Sequence, residues 1–230
     1  MIIQLNITQL AFTIIPVQKV KIPKHPGSTL RGAFGHALKH LTCNMKNQNC
    51  KNCNLNNMCA YAQLFNPHLT DEEQEITSNR FNNKPRPFLF EPQTNQQELF
   101  YPGQKIRFDL NLFGVASKYL PYIIEAWNYL AEQGIGSGRS EFIVSEIWNV
   151  NQLKGESERV YSEYANIVHN SKVNIDNQDI KKLKKCLNKE KLRLRFSTPT
   201  LLKHNGDFVE EIDLYKLMKN LFRRLSSLSV

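Results

Sequence analysis

The chain has 230 residues, and its 30 lysines and arginines against 21 aspartates and glutamates give a formal charge of +9. Hydrophobic residues make up 41% and charged residues 22%, which is ordinary for globular proteins and excludes wholesale disorder and fibrous repeats. No apolar run approaches the roughly 18 residues that a membrane-spanning helix needs, and the first residues do not resemble a secretory leader. We therefore expect a cytoplasmic protein with a basic surface and no membrane contact.

The N-terminal segment predicts a strand with one buried face. Apolar and polar residues alternate from Ile3 onward, which is the period-2 pattern of a half-buried strand. The parity of the apolar positions changes at Leu10. This change predicts that the strand either bulges or bends near Thr8 and Gln9.

A helix is predicted after the prolines and glycine of residues 23–27, with Ser28 or Thr29 as its N-cap. Its buried face is indicated by apolar residues at helical spacing, namely Leu30, Ala33, Phe34, Ala37, Leu38 and Leu41. The opposite face carries Gly32, His36, Lys39 and His40. Those side chains should meet solvent or a ligand.

Three further strands and one helix complete a β-α-β-β-α-β order. The strands are predicted at 88–90, 106–112 and 142–147, and the helix begins at Leu120 and ends before Gly134. This order is the ferredoxin-like arrangement, so the predicted fold class is α+β.

The predicted domains are unequal in size. Residues 1–150 form a ferredoxin-like (RRM-like) domain with a cysteine-rich insertion at 43–86, and residues 151–190 form a polar, basic connector. Residues 191–230 begin a second ferredoxin-like domain that is incomplete, because one strand and one helix cannot bury an apolar stripe by themselves.

Four of the five cysteines cluster in a segment that is poor in apolar residues: Cys43, Cys50, Cys53 and Cys59. Four thiolates match the tetrahedral preference of zinc and leave no open position, so a structural zinc site is favoured. The irregular spacing keeps an iron–sulfur cluster as an alternative, since such clusters also use four cysteines. Unpaired thiols, or disulfides in a secreted protein, would also account for the cluster.

A glycine-rich turn follows the second helix and contains Gly134, Gly136, Gly138 and Arg139. A dinucleotide-binding fingerprint follows a strand and opens a helix, whereas here the order is reversed. Exposed backbone N–H groups and Arg139 would suit a nucleic-acid phosphate. The alternative is a helix cap and tight turn that need glycine for positive φ.

Two more groups of residues are candidates for RNA contact or chemistry. Lys191, Arg193 and Arg195 project from one face of a predicted strand at 191–196, where they can follow phosphates or form an ordinary solvated face. His36 and His40 lie one helical turn apart. Histidine transfers protons near neutral pH, so this pair suits metal-independent RNA cleavage, and a solvated surface is the alternative. Further candidates are the histidines in predicted loops, namely His25, His68, His169 and His204.

Four sequence runs, in this order, carry a family resemblance: GSTLRGAFGHALKHLTC, CAYAQLF, GIGSGRSEFIV and LRFSTPTLLKHNGDF. With them the chain resembles the CRISPR-associated repeat-processing endoribonucleases of the RAMP superfamily. The resemblance implies two tandem ferredoxin-like domains that cut precursor CRISPR RNA without a catalytic metal, leaving a 2′,3′-cyclic phosphate and a 5′-hydroxyl. It also implies a catalytic histidine on or near the first helix, at His36 or His40, and RNA contact at the glycine-rich turn.

Relatives of this kind continue past the last predicted helix. We therefore expect either that the chain is a truncated gene product or that a partner completes the second domain. That partner would be another CRISPR effector subunit or a second copy of the chain. The predicted function is an endoribonuclease that matures CRISPR RNA, with Arg31, Lys39, Arg139 and the Arg193 and Arg195 face binding phosphates. One alternative is a non-catalytic subunit that retains crRNA in an effector complex, and another is a zinc-dependent interaction module.

Overall fold

The computed structural model describes residues 5–45, 49–68, 84–92, 97–187, 190–191, 193–204 and 207–228. Within these ranges the strands are β1 (Ile7–Pro16), β2 (Val20–Lys21), β3 (Phe88–Pro92), β4 (Leu99–Phe100), β5 (Ile106–Phe113), β6 (Phe142–Asn151), β7 (Glu156–Ser162), β8 (Lys203–His204) and β9 (Asp207–Phe208). The helices are α1 (Gly27–Thr42), α2 (Ala60–Phe65), α3 (Leu120–Gln133), α4 (Asn177–Cys186) and α5 (Leu214–Leu228), and 3-10 turns lie at Cys50–Asn52 and Gly114–Tyr119. None of these helices is long and apolar enough to cross a membrane.

Five antiparallel strands form the central sheet in the order β3-β5-β1-β6-β7. Four of them, with α1 and α3, follow the chain as β-α-β-β-α-β. The predicted α+β class and the ferredoxin-like order of elements are thus present.

The core lies between the sheet and the helices α1 and α3. Trp127 of α3 is fully buried, and its ring lies 5.5 Å from that of Phe12, 4.9 Å from that of Phe108 and 6.3 Å from that of Phe34. Because β1 is the central strand, its alternate apolar residues pack beneath both helices. This aromatic centre fixes α1 and α3 on the sheet.

The bulge is not where the sequence predicted it. β1 pairs with β5 in unbroken register from Ile7 to Ile14, so a bulge at Thr8 and Gln9 is wrong, and the alternative of a bend there stays a prediction. The register shift lies instead between β1 and β6, where Thr13 and Ile14 oppose residues of β6 that flank Ser145. The extra residue therefore belongs to β6. The predicted start of β1 at Ile3 lies outside the described residues.

The N-cap of α1 lies two residues before Ser28, the first of the two predicted caps. Pro26 takes the N-cap position with φ −80°, its carbonyl oxygen accepts a hydrogen bond from the Leu30 N–H at 2.8 Å, and no side chain caps the helix. Proline has a φ already close to the helical value, which explains the earlier start.

Residues after 150 extend the sheet. β7, within the segment predicted as a connector, pairs with β6 along the edge opposite β3. The buried Asp179 of α4 accepts a hydrogen bond from Asn151 Nδ2 at 2.9 Å and lies 3.3 Å from Lys154 Nζ. These contacts attach α4 to the turn between β6 and β7.

The strand predicted at 191–196 is wrong for the residues that are described there. Residues 193–202 have no regular secondary structure, and Leu194 and Phe196 are each 50% exposed. A strand needs a neighbour for its backbone hydrogen bonds and a surface for its apolar face. A short β8–β9 hairpin follows, and α5 forms as its apolar spacing predicts.

Candidate nucleic-acid interface

A cleft of about 720 Å³ lies beside the first half of α1. Its walls come from the start of α1, residues 65–68, residues 84–86, β3 and α5. Its ionisable lining residues are Arg31, His68, Lys84, Arg86 and Arg224. No aspartate or glutamate is among the described residues that line it, so these described residues carry a net positive charge. The N-terminal end of α1 adds its partial positive charge.

Aromatic packing holds the wall that contains Arg86. The Phe65 ring lies 5.5 Å from that of Phe34 and 5.0 Å from that of Phe88, which joins the end of α2 to α1 and β3. Arg86 Nε donates a hydrogen bond to the Phe65 carbonyl at 2.8 Å, and its guanidinium lies 5.8 Å from the Phe65 ring. A methyl group at Gly35 would lie 2.8 Å from this ring, so α2 can pack here only because residue 35 is glycine.

His68 brings an imidazole into the same cleft. Its Nε2 atom is buried and has no hydrogen-bond partner among the residues the structure describes. Buried polar atoms are normally paired, so this nitrogen is an exception within the described part of the chain. His68 was one of four histidines in predicted loops, and no sequence pattern pointed to Lys84, Arg86 or Arg224, because the stretch around the first two has no periodicity and Arg224 lies on a distant helix.

Of the residues predicted to bind RNA, Arg31 lines the cleft and the others do not. Lys39 lies with its Nζ 5.7 Å from the Tyr61 ring, and the His40 ring stacks on Tyr129 at 4.7 Å. His36 is exposed, as its position on the outward face of α1 predicts. The two predicted catalytic histidines therefore lie outside the cleft.

The glycine-rich turn packs against the segment around β2. Gly134 has φ +80° and Gly136 has φ +81°, and a methyl group on Gly136 would lie 2.5 Å from the Lys21 carbonyl oxygen. Ser140 Oγ donates a hydrogen bond to the Lys19 carbonyl at 2.9 Å. Close backbone approach therefore explains these two glycines, in line with a helix cap followed by a tight turn.

The remaining predicted cations lie on separate surfaces. Arg139 is exposed with φ +47°, and Gly138 is exposed beside it. Lys191, Arg193 and Arg195 are exposed in the irregular segment before β8. None of these residues lines the cleft.

The four clustered cysteines do not converge in this arrangement. Cys43 follows the end of α1, Cys50 begins a 3-10 turn and Cys59 precedes α2, with Cys59 Sγ 4.0 Å from the Thr42 carbonyl oxygen. No group of three or more potential metal ligands forms among the described residues. The thiolate chemistry suits zinc, and the zinc site stays a prediction.

The sheet face opposite the helices is unsuited to phosphate. Glu91 of β3 and Asp109 of β5 are cross-strand partners, and Gln9 Nε2 donates a hydrogen bond to Asp109 at 3.3 Å. Burial raises the pKa of Asp109, the nearby Glu91 raises it further, and the hydrogen bond from Gln9 opposes both. Two neighbouring carboxylates disfavour a polyanion on this face.

Residues 5–173 match the AF_1859_N family, described as an N-terminal domain. An uncharacterized protein of Archaeoglobus fulgidus is 30% identical over 125 residues, which cover 54% of this chain and 40% of that protein. The chain thus spans less than half the length of this relative. A solved structure described as the Csm3-Csm4 subcomplex of the type III-A CRISPR-Cas interference complex is 14% identical, with a TM-score of 0.44 over 80% of this chain and 99% of that chain. This structural likeness is too distant to assign a function.

Proposed function

The chain belongs to the AF_1859_N family, and for this member we propose an RNA-binding function in which the cleft beside α1 holds a ribose-phosphate strand. The observation that carries the proposal is the convergence of Arg31, Lys84, Arg86 and Arg224 on one cleft whose described lining has no carboxylate. These cations come from three separate parts of the chain.

Physical chemistry supports an anionic ligand for this cleft. Like charges held close together repel one another, and an anion between them replaces that repulsion with attraction. Arginine forms paired hydrogen bonds with phosphate oxygens, and three of the four cations are arginines. The half-exposed Leu89 and the adjoining phenylalanines give the cleft an apolar wall against which a sugar or base can pack.

The resemblance of four sequence runs to the CRISPR repeat-processing enzymes favours RNA over other polyanions. We propose precursor CRISPR RNA or crRNA as the ligand, with CRISPR effector subunits or a second copy as partners. A subunit that retains crRNA needs only to bind it, and the cations of the cleft support such binding.

The second candidate function is metal-independent cleavage of CRISPR repeats. One observation favours it: the cleft contains an imidazole, His68, beside cations that suit a scissile phosphate. His36 and His40 remain the sequence-based proposal for the catalytic residues.

RNA binding is tested by fluorescence anisotropy with a 5′-labelled single-stranded RNA pool of random sequence. Arg31→Glu and Arg224→Glu change exposed cations of the cleft, and Lys184→Glu makes the same charge change on the exposed surface of α4. Because α4 is attached near the β6–β7 edge, opposite β3, Lys184 is a matched control.

We expect each cleft variant to weaken binding about tenfold, as loss of a charged hydrogen bond of about 1.5 kcal/mol implies. Each variant should also reduce the slope of log K against log salt concentration by about 0.7, the value for one phosphate contact to a single strand. Equal weakening by Lys184→Glu would show that only net charge matters, and the cleft proposal would fail.

A further inference from the structure

Arg86 is a cation of the cleft that the protein itself holds in place. Its Nε donates a hydrogen bond to the Phe65 carbonyl at 2.8 Å, and its guanidinium lies 5.8 Å from the Phe65 ring. Phe65 is the last residue of α2, where carbonyl oxygens have no partner within the helix, so this bond also satisfies the helix end. Arg31 and Arg224 are exposed cations without such an anchor in the part of the chain that the structure describes.

The anchor leaves most of the guanidinium of Arg86 for a ligand. Arginine has five N–H donors, and the four on its two Nη nitrogens have no partner among the described residues. Such donors form paired hydrogen bonds with phosphate oxygens. A long side chain that is still mobile loses about three- to tenfold in affinity when binding orders it. Because the anchor orders Arg86 before a ligand arrives, it should raise the affinity for phosphate by about this factor.

Gly35 of α1 determines where Phe65 can lie. A methyl group at residue 35 would lie 2.8 Å from one atom of the Phe65 ring and 2.9 Å from the next, which is too close for both to stay in place. Three aromatic rings with centroids 5.5, 5.0 and 5.2 Å away surround the Phe65 ring, those of Phe34, Phe88 and Tyr61. Since the interior is closely packed, a displaced Phe65 ring would shift the end of α2 and the carbonyl that holds Arg86.

The two glycines in the body of α1 differ in their surroundings. Glycine in a helix interior is less favourable than alanine, because its backbone loses more freedom on folding. At the buried Gly35 the space for a methyl group is filled by Phe65. At the exposed Gly32, three residues earlier, a methyl group would meet nothing within 4 Å. Close approach of a neighbouring ring therefore accounts for glycine at 35 and not at 32.

We infer that Gly35 is a positioning residue for the RNA site, because by admitting the Phe65 ring it holds Arg86 where the guanidinium can meet a phosphate. The inference rests on the proposed function, since it requires a phosphate-bearing strand in the cleft. It adds a residue that does not line the cleft and yet controls its affinity.

The test is a double-mutant cycle on binding of the labelled single-stranded RNA pool by the full chain, measured by fluorescence anisotropy. The variants are Gly35→Ala, Arg86→Ala and the two combined, with Gly32→Ala as the matched control on the same helix. We expect Arg86→Ala to weaken binding by about 10- to 100-fold, the range for a hydrogen bond to a charged group. Gly35→Ala should weaken binding by about three- to tenfold, the ordering cost that the anchor removes, and Gly32→Ala should bind like the wild type.

Two readouts separate positioning from a loss of stability. Once Arg86 is absent, Gly35→Ala should have no further effect, so the double variant should match Arg86→Ala within about twofold. Gly35→Ala changes no charge, yet it should lower the slope of log K against log salt concentration by up to about 0.7, the value for one lost phosphate contact. All affinities are measured well below the thermal midpoint of each variant, where circular dichroism shows the protein folded.

A second variant keeps the test decisive if Gly35→Ala does not fold. Phe65→Leu keeps the backbone carbonyl but removes the ring that lies against the Arg86 guanidinium. It should also weaken binding, and it should have no further effect in the Arg86→Ala background.

Several outcomes overturn the inference. Equal losses of affinity when Gly35→Ala is added to the wild type and to Arg86→Ala would show that Gly35 does not act through Arg86. Wild-type affinity in Arg86→Ala, or wild-type affinity and salt slope in Gly35→Ala, would remove the positioning role and leave RNA binding intact. Absence of binding by the wild type refutes the proposed function itself, and the inference with it.

Discussion

The turn between α3 and β6 offers a matched pair of glycine substitutions. Gly134 has φ +80° and ψ 158°, a backbone region that is essentially reserved for glycine, and a methyl group there would overlap the Arg139 carbonyl. At Gly138 the nearest atom to a methyl group is Ser140 Oγ at 3.6 Å, an ordinary contact. The structure therefore predicts that Gly134→Ala is destabilising and that Gly138→Ala is tolerated.

The size of the effect follows from the local geometry. A residue forced into this backbone region costs about 1–3 kcal/mol. Two backbone hydrogen bonds between Ile135 and Ser140, at 3.0 and 3.1 Å, close the turn, and weakening them costs about 1 kcal/mol each. Alanine lowers the conformational entropy of the unfolded chain, which stabilises the folded protein by about 0.4–1 kcal/mol. The free energy of unfolding should therefore fall by about 3 kcal/mol in total.

Thermal unfolding followed by circular dichroism measures this difference. About 3 kcal/mol corresponds to a fall of about 6–12 °C in Tm for a chain of this length, whereas Gly138→Ala should leave Tm unchanged or slightly higher. Equal Tm values for the two variants would refute the turn geometry. Gly138→Ala should also keep wild-type RNA affinity, and weaker binding at an unchanged Tm would support the sequence-based prediction that this turn contacts phosphate.

Three further predictions concern the carboxylates and the cysteines. Burial disfavours the charged form of Asp179, but the hydrogen bond from Asn151 and the contact with Lys154 outweigh it and lower its pKa. Its stabilising contribution should be complete above about pH 4 and lost as pH falls through the lower folded pKa, and urea titrations of Asp179→Asn should lack this loss. Because burial and Glu91 raise the pKa of Asp109, Asp109→Asn should raise Tm at pH 7, with the gain disappearing as the pH falls towards about 4. Elemental analysis should find about one zinc per chain, as the thiolate count predicts, and iron or no metal would contradict this.

Periodicity in the sequence predicted the strands and helices whose buried face follows from the spacing of their own apolar residues. Residues of β1, α1 and α3 alternate or recur at intervals that place apolar side chains on one face, and the structure buries those faces around Trp127. α5 was predicted on the same grounds. The outward position of His36 and His40 also followed from helical spacing, because the direction of a side chain on a helix depends only on its position along the chain.

Two predictions were wrong because they concerned features that form only when a strand pairs with a neighbouring strand. Leu194 and Phe196 alternate with arginines as in a strand, yet no adjacent strand among the described residues supplies hydrogen bonds to them. The bulge was placed in β1, although the register shift reflects an extra residue in β6. Register is a property of two strands together, so one strand cannot reveal it.

The sequence alone thus determined a basic α+β protein with a ferredoxin-like order of elements and an α1 whose polar face is exposed. Only the tertiary structure brought Arg31, His68, Arg86 and Arg224 to one cleft and packed the glycine-rich turn against β2. The physical reason is that amphipathic spacing records which face of each element is buried, whereas a cleft is formed by segments far apart in the chain. Their convergence depends on contacts such as that of Phe65 with Gly35, which leave no local periodic signal.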